Sequence, residues 1–167
     1  MPELHGMGGN DHIYAGGTAH RLFGGDDRDF AFGSGDDDEI NGGDDADVLA
    51  GEAGADLFIF DTKFASLPDE KGYWSPHTGD TIVDFSVDAP DKIDLGGMQR
   101  YGARAPTMLR WSGSGPRPYS VWTTPRHGDT VVAADLDGDV IADLAIRLLG
   151  DIRITPASFC GVASEGG

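Results

Sequence analysis

A period of nine residues, held in phase through six consecutive units, restricts this chain more than any other feature. Residues 6–59 divide without a gap into GMGGNDHIY, AGGTAHRLF, GGDDRDFAF, GSGDDDEIN, GGDDADVLA and GEAGADLFI. The sixth position holds Asp11, His20, Asp29, Asp38, Asp47 and Asp56. The eighth holds Ile13, Leu22, Ala31, Ile40, Leu49 and Phe58, and the first is Gly except at Ala15. A fixed repeat of this kind marks a stacked array in which each unit buries its apolar residue only against its neighbours.

Each unit divides its labour. Positions one to six read as turn, and positions seven to nine as a very short strand. Glycine reaches backbone angles that other residues avoid, and it lets carbonyls bend inward. The sixth-position carboxylate shares that space. Carbonyl and carboxylate oxygens are hard donors, the set that suits Ca²⁺. The array is also poor at folding without a metal. It commits one core residue in nine, and Ala31 is a small one. Residues 1–60 carry fourteen Asp and Glu against two Arg, a net of −12. Packed without counter-ions those carboxylates repel one another, so metal binding and folding are expected as one event. A disordered acidic linker would share this composition, but it would not hold an apolar residue at every eighth position.

The pattern resembles the G-G-x-G-x-D-x-U-x repeat of RTX (repeats-in-toxin) calcium-binding modules, where U is a large apolar residue. The resemblance implies a right-handed parallel β-roll in which two units make one coil. Metal ions then lie between turns two units apart, pairing Asp11 with Asp29 and Asp29 with Asp47 on one edge. On the other edge it pairs His20 with Asp38 and Asp38 with Asp56. By the same resemblance Gly6, Gly9, Gly24, Gly25, Asp27, Gly33 and Ser34 help to complete the shells. So do Asp36, Gly42, Gly43, Asp45, Gly51 and Gly54. Three to five Ca²⁺ ions are implied. The AGGTAH turn at His20 departs from the pattern because it lacks the carboxylate.

Two later segments extend the resemblance. GDTIVDFSVDAPDKIDL (79–95) is similar to the segment after the last repeat in serralysin-type proteases and alginate-epimerase R-modules. TVVAADLDGDVIADLAIRLL (130–149) and ITPASF (154–159) are similar to the end of the serralysin C-terminal domain. Residues 62–78 and 98–128 resemble neither. The expected architecture is all-β: a β-roll over residues 1–60, capped by a β-sandwich over 61–167. Asp80 is implied as a further calcium ligand, while Asp84 and Asp91 can equally cap turns. Strands are expected at Leu57–Phe60, Thr81–Phe85, Lys92–Leu95, Thr107–Trp111, Tyr119–Thr123, Thr130–Ala134 and Leu144–Leu149, with no amphipathic helix.

The remaining features narrow the function. A net charge of −17 argues against nucleic-acid binding. Cys160 is the one cysteine, so no internal disulfide is available, and it reads as a small buried residue. No apolar run spans a membrane, and the N-terminus lacks the features of a Sec signal. The resemblance implies an extracellular protein exported by the Gram-negative type I route, although the GVASEGG terminus lacks that route's usual tail. The alternative expectation is a C-terminal piece cut from a larger protein, which repeats beginning almost immediately after Met1 favour. Asp135, Asp137, Asp139 and Asp143 have EF-hand-like spacing, but Val140 stands where that loop needs Gly, and a β-hairpin turning at Asp137–Gly138 fits better. Residues 96–128 hold Arg100, Arg104, Arg110, Arg117 and Arg126 with Trp111, Trp122, Tyr101 and Tyr119, and no acid. They read either as an anionic-polysaccharide site or as strands with apolar faces inward and Arg outward. H-E-x-x-H and G-x-S-x-G motifs are absent, and the five histidines lack ligand spacing. The expected role is non-enzymatic: a calcium-binding module that folds outside the cell, assisting export and stabilising an attached or partner protein. Alternatives are an accessory module for an alginate-like polysaccharide, or the C-terminal domain of a serralysin-like metalloprotease.

Overall fold

Leu22 lies beside Leu4 on one side and Ile40 on the other, each eighteen residues away along the chain. Eighteen is two units, so one coil of the roll is two turns and two short strands. The structure, a computed structural model, describes residues 1–62, 65–69, 71, 73–98 and 108–164. Odd and even strands of the roll separate into two sheets. The first contains β1 (Glu3–Gly8), β3 (Arg21–Asp26), β5 (Glu39–Gly43), β7 (Leu57–Ile59), β9 (Lys92–Asp94) and β14 (Phe159–Cys160), in that order. The second begins with β2 (His12–Tyr14), β4 (Phe30–Ser34), β6 (Val48–Glu52) and β8 (Thr81–Ile82). It continues through β13 (Leu144–Leu148), β12 (Asp129–Ala134), β11 (Ser120–Arg126), β10 (Leu109–Trp111) and β15 (Val162–Ala163).

The period of nine becomes a column of side chains. Ile13, Leu22, Ala31, Ile40, Leu49 and Phe58 all point between the sheets and are buried. Their strand neighbours at positions seven and nine point outward, as strand alternation requires. Outside, like stacks on like: Tyr14 on Phe32 at 5.0 Å, His12 on Phe30 at 4.6 Å, and His5 on Phe23 at 4.7 Å. Arg21 bridges Glu3 and Glu39 on the same outer face.

The structure adds two things to the repeat. Leu4 holds an eighth position one unit ahead of Gly6, although nothing before it reads as a carboxylate turn. The column also continues after the repeats stop. Ile82 pairs with Leu49, and Ile93 with Phe58. Thus Asp80-Thr-Ile-Val and Asp91-Lys-Ile-Asp are the ends of a seventh and an eighth unit, with insertions in their turns. After residue 60 the strands extend the roll's own two sheets, where the sequence predicts a β-sandwich stacked on its end. Each strand expected there is found, but with other bounds: β8 stops at Ile82 instead of Phe85, β11 runs on to Arg126 and β12 starts at Asp129, while the others are shorter by a residue or two; Thr107 lies outside the described residues. No α-helix occurs among the described residues; a 3₁₀ turn lies at Pro156–Ser158. β11, β12 and β13 are antiparallel, unlike the roll. β11 and β12 join through His127 and Gly128, both at positive φ, the tight turn that matches strand twist. Cys160, expected to be buried, is half-exposed in β14.

One apolar cluster runs from Ile13 to Val162. Phe58 packs on Phe85 at 6.1 Å, and Phe60 donates its N–H to the Asp94 carbonyl. The last coil of the repeats therefore has its apolar and hydrogen-bonding partners in residues 80–95. A chain ending at Asp61 should lose calcium-induced folding, because the Phe58 column and the β6 and β7 edges are left bare. Circular dichroism of residues 1–61 against the full chain, across a calcium titration, measures this; an equal calcium midpoint would make the second half dispensable.

Candidate metal centre

Sixth-position carboxylates form two ladders of side chain to backbone. On one edge Asp11 N–H donates to Asp29 Oδ1 at 2.8 Å, Asp29 to Asp47 at 2.8 Å, and Asp47 to Asp80 at 2.7 Å. On the other edge His20 N–H donates to Asp38 Oδ1 at 2.6 Å, Asp38 to Asp56 at 2.8 Å, and Asp56 to Asp91 at 3.0 Å. Asp80 and Asp91 thus stand in the sixth position of the seventh and eighth units. Their sequence signal was the D-x-I-x ending, hidden by longer turns.

One carboxylate oxygen makes each rung, and the fate of the other separates the edges. On the Asp11 edge the Oδ2 atoms of Asp11, Asp29, Asp47 and Asp80 are buried and have no hydrogen-bond partner. On the opposite edge Asp38 Oδ2 accepts from the Ser34 N–H at 2.7 Å and its hydroxyl at 3.1 Å, and Asp91 Oδ2 accepts from Ser86 N–H. A buried carboxylate oxygen without a partner is costly. Four in a row, in a column of backbone carbonyls, form a donor set that a hard divalent cation satisfies.

Local backbone explains how the turns make room. In units one, three and five, positions two and four are left-handed: Met7, Gly9, Gly25, Asp27, Gly43 and Asp45. A Cβ on first-position Gly6, Gly24 or Gly42 would collide with the Oδ2 of Asp11, Asp29 or Asp47 in the same unit. At Gly6 and Gly24 it would also strike the first-position carbonyl of the turn two units on, Gly24 or Gly42. Glycine is therefore required because carboxylate and carbonyl fill the space of a side chain. The same applies to Gly33 with Asp38 and Gly51, and to Gly51 with Asp56. Among the first positions, alanine occurs only at Ala15, in the unit whose sixth residue is His20. His20 is buried, its Nδ1 unpartnered, and its turn shows no left-handed residue. Ser34 and Asp36 lack that conformation too, while Glu52 and Gly54 adopt it.

Electrostatics agree with the geometry. Burial pushes the Asp29 and Asp91 carboxyls above the ordinary range, and the Asp56 carboxyl up to about 7. Burial holds Asp47 and Asp80 high as well, helped by the charges of Asp29 and Asp45 on Asp47 and by that of Asp47 on Asp80. Of the other acids, Asp84 caps the sixth turn by accepting from Gly51 and Glu52 N–H. Asp135, Asp137 and Asp143 converge at the loop joining β12 and β13. Both Asp135 oxygens there accept backbone N–H groups, from Gly138 and Val140 among others, which is the wiring of a hairpin loop rather than an EF-hand.

The Arg and aromatic set of 96–128 is dispersed. Arg100, Arg104 and Tyr101 lie outside the described residues. Trp111 faces the core and packs on Phe159 at 5.6 Å, so it is no surface platform. Arg110 and Arg117 are exposed away from it. Trp122 alone of the two Trp points to the outer face of its sheet, against Ala133 and Ala142.

Residues 3–31 and 23–58 match the family model of the RTX calcium-binding nonapeptide repeat, in four copies. Residues 3–58 are RTX calcium-binding repeats. The fold of the whole chain is similar to two R-module solution structures from the Azotobacter vinelandii mannuronan C5-epimerase. The AlgE6R3 subunit matches with TM-score 0.65 and 22% identity, over 90% of this chain and 77% of that one. The AlgE6R2 subunit matches with TM-score 0.56 and 19% identity, over 99% and 94%. No curated protein matches the chain by sequence. No helix among the described residues is long and apolar enough to cross a membrane.

Two measurements check the ladder. Asp29→Ala removes both the acceptor for Asp11 N–H and an inward Oδ2, whereas Asp11→Ala, at the end of its ladder, removes only the latter. Isothermal titration should show Asp29→Ala losing more bound calcium, with about 1–3 kcal/mol of lost stability; unchanged stoichiometry would mean that the rungs do not hold metal. Without metal, raised carboxyl pKa values mean that the folded state binds protons more tightly than the unfolded one. Metal-free stability should then be greatest near the ordinary carboxylate range and fall as pH rises toward about 7. In EDTA the β-signal should be stronger at about pH 5 than at about pH 8, and the calcium midpoint should move to higher calcium as the pH drops.

Proposed function

We propose that this RTX chain is a non-catalytic calcium module that folds when it meets calcium outside the cell, assists export, and stabilises a protein attached to it or beside it. The observation that carries this reading is the row of buried, unpartnered Oδ2 atoms at Asp11, Asp29, Asp47 and Asp80. Those four carboxylates, with the carbonyls of Gly24 and Gly42, would hold the ions. The Asp38–Asp56 edge would bind more weakly, because Ser34 already occupies the Asp38 oxygen. Bound calcium supplies positive charge to a column where burial and neighbouring carboxylates raise the carboxyl pKa values, and so fixes the turns that close each coil. A calcium-poor cytosol would leave the chain unfolded and threadable; a calcium-rich exterior would fold it.

A second reading is an accessory module for an acidic polysaccharide. Its support is the fold shared with R-modules of a mannuronan C5-epimerase, together with a cavity lined by aromatics and cations on the outer face of β11 and β12.

Circular dichroism in EDTA should show little β-structure at neutral pH, with a cooperative gain on adding millimolar calcium. Mg²⁺ should substitute poorly, since it demands tight octahedral geometry and keeps its waters. Equal spectra with and without calcium would overturn the reading.

A further inference from the structure

β12 buries both of its faces. Val132 and Ala134 belong to the main core, but Val131 and Ala133 point away from it and are buried too. Their cover is aromatic: Trp74 lies against Val131 and Ala145, and Trp122 against Ala133 and Ala142. Between these two tryptophans the outer face is open. The cavity there measures about 620 Å³, within the range of small-ligand sites. Tyr73 and the two Trp supply its ring surfaces, Lys71 and Arg126 its cations, and His127 lies beside them. No carboxylate lines it among the described residues. In a chain of net charge −17, that is a local reversal of sign.

The walls are fixed before any ligand arrives. Trp74 Nε1–H donates to the Asp80 carbonyl at 3.0 Å, and the Arg147 guanidinium covers one side of its ring at 4.9 Å. Arg147 is itself paired with Asp129. Arg126 is positioned by the tight His127–Gly128 turn and lies 5.9 Å from the centre of the Tyr73 ring. It has no carboxylate partner at salt-bridge distance among the described ion pairs. Its charge bears on Asp69, whose carboxyl is held low chiefly by Tyr73 and Lys71 backbone N–H groups.

We infer that this cavity is a binding site for acidic sugar residues, uronates above all. Ring faces stack on the C–H faces of a pyranose, and a guanidinium takes a carboxylate in a two-pronged bond. The aromatic walls favour a sugar over a bare anion, and the cations favour an acidic sugar over a neutral one. The inference rests on the polysaccharide reading above and gives it a location that the sequence did not: of the Arg and aromatic residues singled out in 96–128, Trp122 and Arg126 line the cavity. Tyr73 and Trp74 join them through folding. The Trp74–Asp80 bond also ties one wall to the last carboxylate of the metal ladder, so the pocket is complete only when that edge is ordered.

The test uses the full chain, calcium-loaded, with free calcium buffered because oligouronates bind calcium themselves. Isothermal titration follows oligomannuronate and oligogalacturonate, with a neutral cello-oligosaccharide of equal length and inorganic sulfate as comparisons. At least one oligouronate should bind, more weakly as salt rises, while the neutral sugar and sulfate should not. Arg126→Ala should weaken that binding by about tenfold or more, Lys71→Ala by less, and Arg153→Ala not at all. All three side chains are exposed, so folding should survive, and circular dichroism verifies it. Binding lost in Arg110→Ala but kept in Arg126→Ala would overturn this site and leave the polysaccharide reading intact. Failure of both oligouronates to bind would overturn the two together, and equal binding of the neutral sugar would overturn the acidic class.

Discussion

The bond from a sixth-position carboxylate to the backbone N–H two units earlier governs this architecture. It spends one oxygen on the ladder and turns the other toward the axis of the edge. Stacking therefore brings carboxylates together instead of spreading them, and burial then raises their pKa values. The strain is local and additive along the edge. Relief must come from something positive, small and tolerant of irregular oxygen cages, which is the description of a calcium ion. Glycine at the first position follows from the same bond, because the inward oxygen occupies the volume a Cβ would need.

The two edges obey this rule unequally. On the Asp11 edge three successive turns share one backbone conformation, and the column of unpartnered oxygens continues to Asp80. On the other edge a histidine replaces the first carboxylate, an alanine replaces the first glycine, and a serine satisfies Asp38 internally. Ala15 and His20 change together for a steric reason: without a carboxylate turned inward, a methyl group fits. One array thus has one edge with unpartnered carboxylate oxygens and one whose Asp38 is already satisfied, which a count of repeats does not convey.

The second half of the chain gives the roll its end. β8 and β9 repeat the unit's geometry with longer turns, and β10 to β15 carry both sheets onward until the apolar column is closed. Because Trp74 packs on Val131 and Ala145, on the outside of β12 and β13, it also walls the aromatic cavity. Metal edge and cavity meet at Asp80, whose carboxylate belongs to one and whose carbonyl holds Trp74 for the other.

The sequence by itself determined the roll. Nine-residue spacing fixes which residues face the core, and the Gly and Asp positions fix which groups line the turns, because these depend only on neighbours two units away. It also placed the strands of the second half, whose apolar alternation is local. What it left open were relations across unequal insertions. No spacing rule aligns Ile82 with Leu49 or Ile93 with Phe58, so Asp80 and Asp91 gained their place in the ladders only when the sheets formed. Likewise Trp111 and Trp122 look equivalent in the chain, and strand register sent one inward and the other out. The inequality of the edges was legible at His20 but not at Ser34, whose hydroxyl reaches Asp38 only through the turn's three-dimensional path. Local periodicity survives translation from sequence to structure; contacts between segments of unrelated length are set by packing alone.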